Sequence, residues 1–374
     1  MARSRLVRVR SEFVVIGAGL TGLSAAWALR RLGREVTVLD QAQVGHADGG
    51  SHGSCRIFRL GYEDPDYVLL AMQARGLWTE LEEASGQQLL HPVPHLTFGP
   101  QMPEVAAAMR RAGAACEPIS AGEAATRCPG VAVTGQVLFE PDSAVIAADR
   151  ALAALAGQVG EVTAGVRVTA LADDGRRVSL STTDGDIEAR CALVCAGPWT
   201  AGLLPGITVP GEATLEQVAY LATPSTAKAY WPIFVHYGGE FPYGLPVPGS
   251  DRYKIGIHHG GPVVDPDHQD HAEDLDLSRR IGRAARTFLP GLDPRPVATE
   301  RCVYDNSPDT DFVIDRIGNV VIGCGTSGHG FKFGPLLGQW LAALAGAPVP
   351  RRGGTGATGP PARFGLRRFR AAAG

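Results

Sequence analysis

Apolar and polar positions along this chain follow two periods, and the switches between them outline the fold. Phe13 to Ile16 is an uninterrupted apolar run, Leu20 to Leu32 is rich in Ala and Leu at helical spacing, and Glu35 to Asp40 alternates again. Residues 13–40 therefore read as a βαβ unit with a tight, Gly-rich crossover. A Gly-rich loop, QAQVGHADGGSHGSCR, follows. Asp66 to Glu83 then sets Leu70, Leu77, Trp78 and Leu81 on one helical face, a core-facing stripe. Short helices are predicted over Pro103–Arg111 and Ser120–Arg127, the second opened by a capping box of Ser120 and Glu123.

Period-two patterns return at Val162–Leu171 and Val178–Thr182, and Asp184-Gly185 turns the chain into the apolar strand Ile187–Cys195. From Thr214 to His259, alternation broken by Pro and Gly clusters predicts an antiparallel sheet, so the pattern changes from α/β to mainly β near Pro210. A helix over Leu275–Phe288 precedes strands at Thr299–Tyr304, Phe312–Asp315 and Val320–Gly323, and a last helix starts at Pro335.

Composition narrows the class. Gly (48) and Pro (27) fill about a fifth of the 374 residues, yet 45% of positions are hydrophobic and 20% charged, which excludes a disordered chain. There is no G-X-Y period and no recurring unit of a solenoid. The length suits two domains. A net charge of -3, from 35 basic and 38 acidic residues, gives no field for nucleic acid or an anionic membrane. The seven cysteines are scattered and odd in number, so reduced thiols in a cytoplasmic protein are expected. The apolar run after the basic start is broken by Gly17, Gly19 and Gly22, which argues against a signal peptide or membrane span, and the C-terminal residues carry no lipidation Cys.

GAGLTG at 17–22 sits between strand and helix. Gly17 allows the tight turn, Gly19 lets the backbone approach a pyrophosphate, and Gly22 lets the helix pack closely. Asp40 ends the second strand 23 residues after Gly17 (40 − 17), where a carboxylate can accept both ribose hydroxyls of a dinucleotide. This motif alone leaves FAD and NAD open. LVCAGPWT at 193–200, with Gly197 and Trp199, and GCGTSGHGFK at 323–332, with Gly328 and Gly330, favour FAD, because that long cofactor is gripped by segments scattered along a chain. An NAD-dependent dehydrogenase or a non-catalytic dinucleotide-binding protein is the alternative from another class.

With those segments, SHGSCRIFR at 51–59, YGLPVPGSDRYKIGIH at 243–258, RCVY at 301–304 and SGHGFKF at 327–333 make the chain similar over nearly its whole length to monomeric sarcosine oxidase and its N-methyl-amino-acid and cyclic imino-acid oxidase relatives. The resemblance implies an α/β + β architecture in which a Rossmann-like FAD-binding domain (1–84, 145–210 and 302–374) is interleaved with an antiparallel-sheet substrate domain (85–144 and 211–301). It also implies oxidation of a secondary amino acid to the imine with O2 reduced to H2O2. A same-fold dehydrogenase passing electrons to another acceptor is the nearer rival.

Roles carry over by position. Cys302 matches the Cys joined through sulfur to the flavin 8α carbon, a step that needs a thiolate. Arg59 and Lys332 match the pair holding the substrate carboxylate, a planar fork and a point cation. Arg56 matches the Arg beside the flavin, where positive charge stabilises a reduced anionic ring, and Lys254 the lysine that speeds oxygen reduction. His258, four residues on from Lys254, is expected on the same strand face, with His259 turned away. Tyr243, Tyr304 and His329 match pocket-lining positions, while Ser51 and His52 match the flavin loop. No metal is expected, since His258, His259, His268 and His271 lack acids at a metal-binding spacing. Cys55, Leu60, Asp64, Val303 and Asp305 depart from the sarcosine-type pattern and leave the substrate among sarcosine, larger N-methyl amino acids and cyclic imino acids. The small-molecule substrate, a monomeric state and the absence of nucleic-acid or membrane partners complete the expectation.

Overall fold

A computed structural model describes residues 9–224, 231–347 and 359–372. Its first sheet is centred on the strand Val9–Ile16, which is flanked in parallel by Val36–Asp40 and Gly185–Val194. The strand Gly185–Val194 divides its partners. Its first half continues an antiparallel meander with Val178–Thr182, and its last residues pair in parallel with Val320–Cys324. Ile16 and Val194 thus end neighbouring parallel strands, and Val194 pairs with Ile322 two residues before the third ends at Cys324. The three Gly-rich segments that follow these strands leave the sheet at one edge, where doubly wound sheets bind ligands.

The helix Leu20–Arg31 crosses from the first strand to the second, as the pattern predicts, and buries Leu23, Ala25, Ala26 and Leu29. Its neighbour is the last helix, Gly334–Leu344, where a Cβ at Gly338 would overlap the Ser24 backbone. Small residues there let two helices meet at backbone distance. The period-two stretch 162–171 is two strands. Thr163–Ala164 pairs with Leu39–Asp40, Gly165 then takes φ +77°, and Val168–Asp173 joins the meander. A left-handed residue, cheap for Gly, redirects the chain.

The second sheet has eight strands. Ala298–Asn306 lies at one edge, followed by Glu212–Ala222, Arg252–Ile257, Pro242–Pro246, Ile233–His236, His95–Phe98, Gln136–Glu140 and Glu117–Ser120. All pairs are antiparallel except His95–Phe98 with Ile233–His236. Strand alternation gives this sheet two unlike faces. One face, with Leu96, Phe139, Leu221, Phe234, Tyr253 and Ile255, packs on the helix Leu275–Phe288 through Ile281, Ala284 and Ala285. Asp274 caps that helix, accepting from Asp276 N at 2.9 Å and Leu277 N at 3.0 Å. Each fully buried large aliphatic here contributes about 1.5–3 kcal/mol. The opposite face carries the polar side chains described below.

A third sheet joins Cys55–Phe58, Ala144–Ala147 and Leu90–Pro92 between the other two. Its strands are too short for alternation to announce them, and Cys55–Phe58 overlaps the end of a Gly-rich stretch. The helix Pro65–Ser85 starts at an Asp64 cap and ends on Gly86 at φ +66°. No helix among the described residues is long and apolar enough to cross a membrane.

Candidate active site

Between the Gly-rich edge of the first sheet and the polar face of the second lies a cleft of about 650 Å³. At one end the glycine turn does what its sequence predicts. Gly17 has φ +101°, its N–H donates to Leu39 O at 2.8 Å, and a Cβ there would run into the Cys195 carbonyl. A Cβ at Gly22 would overlap the Gly17 carbonyl, and one at Gly19 would stand 3.1 Å from Ser51 Oγ. Gly19 caps the helix without a side chain, so the helix N-terminus opens onto the cleft as an anion site. Ser51 Oγ accepts from Leu20 N at 3.0 Å and ties the flanking loop to this turn. Asp40, on the cleft wall, accepts from Ala18 N at 2.6 Å and Ala42 N at 2.9 Å, with His46 Nε2 3.5 Å from its Oδ1. Trp199 lines the same end, its indole N–H donating to Asp267 at 2.8 Å beside Gly197 at φ +52°.

The middle of the cleft is the polar face of the second sheet. Register places Glu300 opposite Val218 and Cys302 opposite Glu216, so Glu300, Cys302 and Tyr304 share one face. On the neighbouring strands Lys254 stands opposite Tyr220, and Gly256 stands opposite both Val218 and Tyr243. A Cβ at Gly256 would lie 2.8 Å from the Tyr243 hydroxyl, and one at Gly328 would strike the Tyr304 ring. These bare positions make room for the two phenols. Cys302 Sγ is 3.7 Å from Arg56 Nη2 and 3.6 Å from Gly50 O. Burial pushes its thiol pKa up, while Arg56 and Lys254 oppose that and favour thiolate. Arg56 donates to Cys55 O at 3.0 Å and His52 O at 2.5 Å, and its guanidinium lies 5.4 Å from the Phe331 ring centre. It makes no pair with Asp64, which binds Arg363. His52 sets its two ring nitrogens 2.8 Å from Gly49 O and Arg301 O. Burial and Arg56 hold its pKa below the usual imidazole value despite those carbonyls.

At the far end Arg59 is 8% exposed, stacks at 4.5 Å on Tyr62, and keeps one buried nitrogen, Nη1, without a partner. A buried guanidinium donor in that state calls for an anion. Lys332 is 5% exposed and donates to Tyr62 Oη at 2.7 Å and His329 O at 3.3 Å. Tyr62 in turn meets His329 Nδ1 at 3.3 Å. Burial, then Arg59, pushes the Lys332 pKa well below the usual lysine value. Behind Arg59 the buried Glu140 accepts from Leu60 N at 3.3 Å, Gly61 N at 3.0 Å, His95 Nδ1 at 2.7 Å and Thr97 Oγ1 at 3.0 Å. Burial would raise its pKa, but His95, Arg59 and these donors prevail and hold it at about 2.

The cleft therefore brings together Arg56, Arg59, Tyr243, Lys254, His258 and Lys332, along with Cys302, Tyr304 and His329. Burial keeps His258 well below the usual imidazole pKa and His329 at about 3, so both rings are neutral near pH 7. His259 is exposed and does not line the cleft, whereas His258 does. The strand ends at Ile257, so His258 reaches the cleft from just past the strand that carries Lys254, and His259, at φ +54°, sets its ring centre 4.1 Å from that of His258. Asp305 accepts from Gly325 N at 2.6 Å, and burial raises its carboxyl to about 6. Tyr62, Glu140, Glu300 and Tyr237, whose ring centre lies 5.5 Å from the Arg59 guanidinium, are absent from the motifs. One signal for the cations was available: the chain has only three lysines, Lys228, Lys254 and Lys332, and two of them are in this cleft. Among the described residues no group of His, Cys, Asp and Glu is placed to hold a metal ion.

These residues fit a flavin dinucleotide: glycines bare where a Cβ would fill the cradle, an open helix N-terminus, an acid at the second strand, and cations around the centre. The comparisons agree. The family model described as FAD dependent oxidoreductase matches residues 12–344. Peroxisomal sarcosine oxidase of Mus musculus is 33% identical over 361 residues, covering 89% of this chain and 92% of that protein. N-methyl-L-tryptophan oxidase of Yersinia pestis is 30% identical over 358 residues, covering 89% and 94%. Among solved structures, NikD, an unusual amino acid oxidase essential for nikkomycin biosynthesis, is 26% identical with a TM-score of 0.80 over 90% of this chain and 94% of its own. L-proline dehydrogenase from P. horikoshii, 20% identical at TM-score 0.80 over 90% and 94%, shares the fold.

Proposed function

The chain belongs to the FAD dependent oxidoreductase family, and from that premise we propose that it oxidises the CH–NH bond of a secondary amino acid, with O2 as acceptor and H2O2 as product. The single observation that carries this reading is the buried pair Arg59 and Lys332 at the end of the cleft, with the Arg59 donor Nη1 unpartnered. A fork and a point cation there suit the carboxylate of a small substrate.

The substrate carboxylate binds across Arg59 and Lys332. Tyr62 orients the lysine through its 2.7 Å hydrogen bond, and Glu140 holds the Leu60-Gly61 backbone that follows the arginine. Anchored so, the substrate turns its amine and adjoining C–H bond toward the centre of the cleft. The neutral imidazoles of His258 and His329 add no charge beside the amine, which must itself be neutral to give up electrons. Bound FAD would supply the two-electron acceptor for that C–H bond. Holding the reacting groups in register suffices without a strong general base. In the net reaction the amine loses two hydrogens with two electrons and becomes the imine, and O2 gains them and becomes H2O2. Lys254 is the cation placed to favour charge on oxygen, and Arg56 the cation placed to favour a reduced, anionic cofactor. Cys302, with Arg56 beside it, is the residue for a covalent thioether to the flavin.

An aerobic screen of sarcosine, N-methyl amino acids and cyclic imino acids, read by peroxide release beside anaerobic bleaching of the flavin, tests the reading. Bleaching by a secondary amino acid with stoichiometric peroxide is expected. Bleaching without peroxide would establish a dehydrogenase instead.

A further inference from the structure

One carboxylate on the reactive face of the second sheet has no part in the scheme above. Glu300 precedes Cys302 by two residues and so shares its face, and its side chain is 25% exposed along the cleft. Tyr220 donates to its Oε2 at 2.5 Å, and His52 Nε2 lies 3.5 Å from its Oε1. A Cβ at Gly53 would stand 2.9 Å from Glu300 Oε1 and 3.2 Å from Arg56 Nη1, so the acid and the guanidinium flank one spot. Tyr220 is also the cross-strand neighbour of Lys254, whose ammonium lies 5.7 Å from the Tyr220 ring centre and donates to Cys55 O at 3.3 Å. Among the described residues no carboxylate lies within ion-pair distance of Lys254.

The local charges are few. Lys254 and Arg56 are the cations; Glu300 is the acid that acts on both, Glu216 acts on Cys302 from the neighbouring strand, and His52, Cys55, Cys302, Tyr220, Tyr243 and Tyr304 are the other titratable groups around them. Two buried cations side by side repel each other, and the lysine, not the arginine, is the one that gives up a proton. Burial and Arg56 drive Lys254 toward neutrality, and Glu300 opposes them. A direct ion pair would fix the ammonium on the acid. A counter-charge held aside by Tyr220 leaves the ammonium charged and free to face the cleft.

We propose that Glu300 is a positioning residue for Lys254: clamped by Tyr220, its carboxylate keeps the lysine cationic without binding it, and so sets the pH range over which the enzyme reacts with oxygen. This rests on the role given to Lys254 above. The experiment exploits the scarcity of lysine. In holoenzyme labelled with ¹³Cε-lysine only Lys228, Lys254 and Lys332 report, Lys254→Met identifies the Lys254 signal, and its pH titration is read directly.

Glu300→Gln keeps an acceptor for Tyr220 and removes the charge. It should lower the Lys254 midpoint by about one pH unit or more, a roughly tenfold loss of proton affinity, and move the Lys332 midpoint much less. The pH above which flavin reoxidation slows should fall by the same amount, and Glu300→Asp should restore part of both. Tyr220→Phe, which frees the carboxylate, serves as the second variant and should also displace the Lys254 midpoint. An unchanged Lys254 midpoint in Glu300→Gln overturns the inference. If Lys254→Met leaves reoxidation unaltered, the oxygen role of Lys254 fails instead, while the titration still decides the part played by Glu300.

Discussion

Glu140 offers the sharpest test of how the substrate end is held. Replacing it with Gln keeps the volume but removes the charge and leaves one oxygen to serve groups that now donate to two: Leu60 N, Gly61 N, Thr97 Oγ1 and Ser143 Oγ, with His95 Nδ1 at 2.7 Å. Two routes give the magnitude. Leaving buried hydrogen-bond donors without their carboxylate acceptor costs about 1–3 kcal/mol, and more where a charged group is involved. Independently, a carboxyl whose pKa falls from 4.5 to about 2 on folding contributes on the order of 3 kcal/mol at neutral pH. The sign follows from the depressed pKa: the contribution is present above the unfolded value and is lost as pH drops through the folded one. Urea unfolding of wild-type and Glu140→Gln holoenzymes, followed by tryptophan emission, should show a gap of about 3 kcal/mol at pH 7 that shrinks to roughly half near pH 3. Because Leu60 and Gly61 anchor the backbone beside Arg59, KM should rise in the same variant. A gap under about 1 kcal/mol that does not vary with pH would refute the reasoning, since the carboxylate would then be no more stable folded than unfolded.

Other outcomes follow from the same geometry. Acid precipitation should leave the yellow colour in the wild-type pellet, and Cys302→Ser should move it to the supernatant; colour already in the wild-type supernatant excludes the thioether. Arg59→Lys cannot replace a planar fork and should raise KM by about 10- to 100-fold, the equivalent of one charged hydrogen bond, with a smaller effect on kcat. The affinity for acetate, measured by perturbation of the flavin spectrum, should weaken as pH rises through the depressed pKa of Lys332, because only the ammonium attracts an anion. Lys332→Met should remove that pH dependence. Gly328→Ala should disturb the pocket more than an ordinary Gly-to-Ala change, since the position has φ +70° and its Cβ would meet the Tyr304 ring; a variant with unchanged KM and stability would show that the ring can move aside.

The fold was legible where one element has one environment. The helix Leu275–Phe288 and the strand Val178–Thr182 appear with nearly the bounds their periodicity predicts, because each packs one face against a single layer; the βαβ unit, whose first strand is buried on both faces, was legible from its apolar run and its glycine turn. The third sheet and the helix Ala148–Val159 were not legible. Ala144–Ala147 is buried on both sides, so no alternation marks it. The split at Gly165 had a local cause, a left-handed turn that an isolated glycine inside a strand pattern only hints at.

The site divides along a different line. Residues that meet the cofactor backbone to backbone could be read, because glycine is needed wherever a Cβ would collide, and that requirement is written in the sequence at Gly17, Gly19 and Gly22. Cations could be read from motif and from scarcity. The groups that hold the cations could not, because their signal is register and not sequence spacing. Glu140 is anchored on His95 and Thr97 of the neighbouring strand and holds the Leu60 and Gly61 N–H groups that follow Arg59, and Glu300 stands two strands from Lys254 with Tyr220 between them. In both cases the acid anchors itself on a third residue and makes no ion pair with the base it serves. An acid so placed keeps a buried cation charged while leaving its donors for a ligand. For the same reason Arg59 can keep Nη1 unpartnered inside the protein: Glu140 offsets the cost of burying its charge, and the guanidinium keeps a donor for the substrate carboxylate.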